Sequence, residues 1–76
     1  MSATLALKNR ERALTGREQT ILDMLALGMR NREISERLKI TERTVKFHVS
    51  SLFTKLGAGN RTEAVRLALE RGLLDL

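Results

Sequence analysis

Apolar residues recur every three or four positions in this chain, in short runs that begin at helix-capping side chains, and this punctuation leaves helices as the available regular structure. Thr15, Asn31, Thr41 and Asn60 open the runs, and Gly28, Gly57 and Gly72 close the first, third and last of them. Thr15 with Glu18, and Asn60 with Glu63, have the three-residue spacing in which a cap and a carboxylate satisfy each other's backbone amides. The pattern predicts helices over 16–27, 32–38 and 42–56, with Asn31 and Thr41 capping the second and third. A fourth begins at Asn60 and ends at Gly72, followed by the apolar residues Leu73, Leu74 and Leu76. There is no proline, and the aromatic content of 3% is phenylalanine alone, a composition that suits helix and not sheet. The predicted class is all-α, with four helices.

At 76 residues the chain holds one domain. A domain of this size buries only about 60% of the surface its unfolded form exposes, so its margin of stability is thin. Without cysteine, and with His48 as the single histidine, it has no disulfide, no thiolate site and no histidine pair for a metal, and no cofactor is expected. No stretch nears the roughly 18 apolar residues of a membrane span, and the start lacks a secretory pattern, so a cytoplasmic, nucleoid-associated location is expected. Residues 1–13 have no sustained apolar period and include the mixed-charge run Lys8, Asn9, Arg10, Glu11, Arg12, which reads as a flexible arm or linker remnant ahead of a domain over 14–76. The formal net charge of +5 favours polyanionic partners.

A short helix, a tight turn through Lys39 and Ile40, and a longer helix form the layout of a helix-turn-helix, whose second helix enters the major groove of DNA. Val45, Val49, Leu52 and Leu56 form one stripe of that longer helix and are assigned to the core. The opposite face carries Arg43, Phe47, Ser50, Ser51 and Thr54, flanked by Lys46 on one side and by Thr44, His48 and Lys55 on the other. No carboxylate occurs between Arg43 and Lys55, and a cationic, hydroxylic surface suits phosphate oxygens and base edges. Arg43 and Lys55 are accordingly assigned to phosphates.

No nucleophile and orienting acid are spaced around His48, so the chain is not read as an enzyme. His48 sits at the edge of the core stripe, where a buried structural role and a phosphate contact are both open. Phe53 lies beside the core and is assigned to packing. Glu18 and Arg61 form a candidate ion pair, with an unpaired arginine as the alternative. On the fourth helix Leu67 stands apart from the apolar face of Ala64, Val65 and Ala68, framed by Glu63, Arg66, Glu70 and Arg71, which suggests a self-complementary contact.

These residues, taken together from Leu14 to Leu74, resemble the LuxR-type helix-turn-helix domain, also found in NarL/FixJ-type response regulators and alone in GerE-like regulators. The resemblance rests on Leu14, Thr15, Arg17 and Glu18, on Gly28, Asn31, Glu33, Ile34 and Leu38, and on the unbroken run from Ile40 to His48. It continues through Lys55, Leu56, Gly57, Asn60, Arg61, Ala64, Val65, Ala68 and Gly72. It implies a tetra-helical domain that binds double-stranded promoter DNA and forms a homodimer through its last helix, using Leu67, Glu63, Arg66 and Glu70 here. It also implies that Lys46, Phe47 and Ser50 face bases while Thr44 and His48 approach phosphates. RNA polymerase is a further candidate partner; no membrane and no small molecule is expected. Gly16 departs from the family's frequent proline, and Phe47 with Ser50 makes the sequence preference this chain's own. The alternative is an interaction module that pairs with a longer regulator and blocks its DNA binding.

Overall fold

The computed structural model describes residues 14–74, which form four α-helices and, among the described residues, no strand. The arm over 1–13 and the tail residue Leu76 lie outside the described residues. Helix α1 spans Gly16–Ala26, α2 Asn31–Leu38, α3 Glu42–Leu56 and α4 Arg61–Glu70.

Local chemistry accounts for the starts of all four helices and the ends of the first three, while α4 stops at Glu70 with Arg71 as its cap, just short of the expected end at Gly72. Thr15 caps α1: its hydroxyl accepts the Glu18 amide at 3.1 Å while the Glu18 carboxylate accepts the Thr15 amide at 2.8 Å. The helix closes one residue earlier than the pattern predicts, with Leu27 as its cap. Gly28 takes φ +90°, its amide reaching the Leu25 carbonyl at 3.0 Å and that of Met29 the Met24 carbonyl at 3.1 Å. This is the Schellman arrangement, which requires a left-handed residue at that point.

The second helix corrects the expected cap. Arg30, not Asn31, is the boundary residue, and Asn31 is already helical. Glu33 stands three residues after Arg30 and accepts its amide at 3.0 Å. The start is thus held by a carboxylate reaching back from the first turn. The turn that follows depends on Lys39 at φ 59°, the one non-glycine described residue at positive φ, and on the Ile40 amide donating to the Ser35 carbonyl at 3.0 Å.

Thr41 caps α3 as predicted, accepting the Thr44 amide at 3.0 Å, and Gly57 ends it at φ 74°. At α4 half of the predicted box forms: Asn60 accepts the Glu63 amide at 2.9 Å, but the Glu63 carboxylate accepts the amide of Gly59 instead, at 2.7 Å.

Helix α3 lies at the centre and packs on all three others. Val45, Leu52 and Leu56 are buried, Val49 and Phe53 are half-buried against them, and Ile21, Leu22, Leu25, Ile34, Ala64, Ala68 and Leu74 complete the core. Across this core α1 and α4 run antiparallel: Gln19 donates to the Leu73 carbonyl at 2.9 Å near one end and Arg61 to the Leu25 carbonyl at 2.8 Å near the other. Arg61 therefore does not pair with Glu18. A planar guanidinium can satisfy a helix-terminal carbonyl, and α1 ends beside it.

Two stability outcomes follow. Gly16 occupies the first helical position, a Cβ there meets nothing within 4 Å, and Thr15 is already extended at ψ 164°, the conformation a following proline requires. Gly16→Pro should therefore raise stability by about 0.5–1 kcal/mol in urea unfolding. Leu52→Ala, at a fully buried site, should cost about 2–5 kcal/mol in the same measurement.

Candidate nucleic-acid interface

Because Val45, Leu52 and Leu56 face inward, the helical period turns Arg43, Lys46, Phe47, Ser50 and Thr54 outward, and all five are exposed. Phe47 is 71% exposed, an unusual state for so large an apolar side chain. Its ring meets His48 edge-on, centroids 5.7 Å apart at 70°. His48 is half-buried, at the border between core and surface. Thr44 is exposed at the N-terminal end of the helix, its hydroxyl 2.9 Å from that of Thr41, and the Thr54 hydroxyl donates to the Ser50 carbonyl at 3.0 Å.

The flank facing α1 differs from the expectation. Ser51 is half-buried and donates to Glu18 at 2.7 Å, so it belongs to an interhelical contact and not to the outward face. One turn on, the Lys55 ammonium donates to the same carboxylate at 2.7 Å. Lys55, assigned to phosphates from its place on the helix, thus directs its charge into the fold. Glu18 itself is 3% exposed and accepts from Thr15, Ser51 and Lys55. Burial alone would push its carboxyl upward, but the Lys55 ammonium, the Thr15 amide and the Ser51 hydroxyl outweigh that and lower it from 4.5 to about 2. The capping signal at Thr15 and Glu18 was visible in the sequence; the use of the second carboxylate oxygen across 33 residues was not.

On α4, Leu67 is half-buried and Glu63 likewise, while Arg66 and Glu70 are exposed. Arg66 pairs with Glu70 four residues on and stands 3.9 Å from Glu63. These residues form one ridge of alternating charge along the helix. Among the described residues no helix is long and apolar enough to cross a membrane, and no group of three or more acidic, histidine or cysteine side chains is placed to hold a metal.

Residues 12–68 match the family of bacterial regulatory proteins, luxR family. The response regulator Rre1 of Synechocystis sp. is 49% identical over 61 residues, which is 80% of this chain and 26% of that protein. The quorum sensing-dependent transcriptional regulator RpaR of Rhodopseudomonas palustris is 52% identical over 67 residues, 88% of this chain and 28% of that protein. The solved structure of the transcription factor GerE superposes with a TM-score of 0.76 at 40% identity, covering 82% of this chain and 92% of that one. The chain spans about a quarter of the length of these two curated relatives, and nearly all of the solved GerE chain.

The Glu18 contact sets a pH dependence of stability. A carboxyl lowered from 4.5 to about 2 on folding contributes stability that is whole above pH 4.5 and lost as the pH falls toward 2. The interval corresponds to roughly 3 kcal/mol. Glu18→Gln should be less stable than the wild type at neutral pH, and urea unfolding between pH 6 and 2 should show that gap closing with acid. A gap that stays constant across the range would assign the acid sensitivity to other groups.

Proposed function

The chain belongs to the luxR family of bacterial regulatory proteins, and we propose that it acts as a sequence-specific transcriptional regulator, or the effector domain of one, with α3 inserted in the major groove of DNA. The observation that carries this reading is the exposed face of α3, where Arg43, Lys46, Phe47, Ser50 and Thr54 are presented with no carboxylate among them. Lys46, Phe47 and Ser50 occupy its centre and are assigned to base edges. Arg43, Thr44 and His48 lie nearer its ends and border and are assigned to phosphates. Lys55 is assigned to holding Glu18, so its part in binding is through the placement of α3.

In this reading two copies bind half-sites about one helical turn apart. The ridge of Glu63, Arg66, Leu67 and Glu70 supplies the contact between them, since a surface of alternating charge around an apolar residue complements itself under a two-fold axis. The regulator works in the cytoplasm on the nucleoid, with RNA polymerase as the machinery it acts upon.

The test is a titration of the chain against selected and random duplex DNA at several salt concentrations. Lys46→Ala should weaken binding to the selected site by about 10- to 100-fold, with a smaller loss on random DNA. Arg43→Ala should weaken both alike and lower the salt slope by about 1. Equal losses on every sequence for both variants would contradict the division of roles. Failure of the wild type to bind any duplex would instead favour the module that acts by pairing with another regulator.

A further inference from the structure

Three large apolar side chains stand exposed among the described residues: Leu27 at the end of α1, Leu69 on α4, and Phe47. Phe47 differs from the other two in its surroundings. Its exposed neighbours on the helix face are Arg43, Lys46, Ser50 and Thr54, so it is a single apolar spot inside a cationic and hydroxylic surface. Phe53, the chain's other aromatic residue, is packed against the core, so α3 places one phenylalanine inward and one outward.

That pattern has a counterpart. The edges of base pairs in the major groove are read mainly through hydrogen-bond donors and acceptors, and the one apolar group that projects there is the methyl at C5 of thymine. A contact between copies of this chain would instead need both charge signs to complement itself, as on the α4 ridge, whereas this face of α3 carries cations alone. From the match between one apolar group in a polar cationic face and one apolar group in a polar anionic groove, we propose that Phe47 is a specificity-determining residue that selects a C5-methylated pyrimidine. The edge-on contact with His48, 5.7 Å between centroids, limits the directions in which the ring can lie and favours a fixed point of contact.

The chemistry reads the methyl group and not the base that bears it. Thymine and 5-methylcytosine therefore both satisfy Phe47, whereas deoxyuridine and unmodified cytosine do not. Binding becomes sensitive to cytosine methylation at the position Phe47 meets. This inference rests on the assignment of α3 to the major groove, and its test separates the two.

The 76-residue chain is titrated against a site selected from random DNA, with each thymine of a half-site replaced in turn by deoxyuridine. Deletion of a single buried methyl should reduce affinity about fourfold per half-site at one position. At that position 5-methylcytosine should bind more tightly than cytosine by a similar factor. Phe47→Ala, an exposed truncation that leaves the core intact, should be insensitive to both exchanges, and Phe47→Leu should keep part of the sensitivity. Tight binding to the selected site with no effect of deoxyuridine at any thymine would overturn the proposal while leaving the groove assignment in place. An equal deoxyuridine effect in the wild type and in Phe47→Ala would overturn it too, since another group would then read the methyl. Absence of selection for any duplex would overturn both.

Discussion

Every other helix leans on α3. Val45, Leu52 and Leu56 are buried along one side of it, and α1, α2 and α4 each pack against it. A domain this small has one core and no covalent staple, so the helix that supplies the centre of the core also fixes how the remaining helices lie. The consequence for the opposite side is direct. Once the apolar stripe is placed inward, the helical period leaves Lys46, Phe47 and Ser50 no direction but outward, and packing energy and surface chemistry are set by one rotation of one rod.

That rotation is secured by more than apolar contact. Apolar packing is non-directional, whereas the Glu18 carboxylate accepts from the Thr15 amide on its own helix and from Ser51 and Lys55 on α3, which fixes where α3 sits along and around α1. The carboxylate is buried, and a buried charge is tolerated only when partners of this kind surround it. The arrangement connects the start of α1 to the flank of the exposed face, so a residue outside the candidate interface governs how that interface is presented.

Much of this domain was legible in its sequence because the information was local. The caps at Thr15, Thr41 and Asn60, the stop at Gly28 and the stripe of α3 depend on residues within a turn or two of each other, and all appear where the spacing places them. Two helix starts depart from the pattern, again over a few residues. Arg30 replaced Asn31 as a boundary because a carboxylate three residues on can hold a helix start without a capping side chain. Glu63 reached Gly59 instead of Asn60, one amide further out.

Residue order alone determined the helical class, the helix-turn-helix layout and the separation of α3 into apolar and cation-bearing sides, since periodicity, capping and charge are properties of neighbours along the chain. Only the tertiary structure decided which charges meet. Arg61 went to the Leu25 carbonyl, and Glu18 received Ser51 and Lys55 from the distant helix, turning a lysine on the flank of the outward face of α3 into a support for that helix. Such pairings depend on how α1, α3 and α4 cross. That geometry comes from filling a shared core, and no interval between residues in the sequence encodes it.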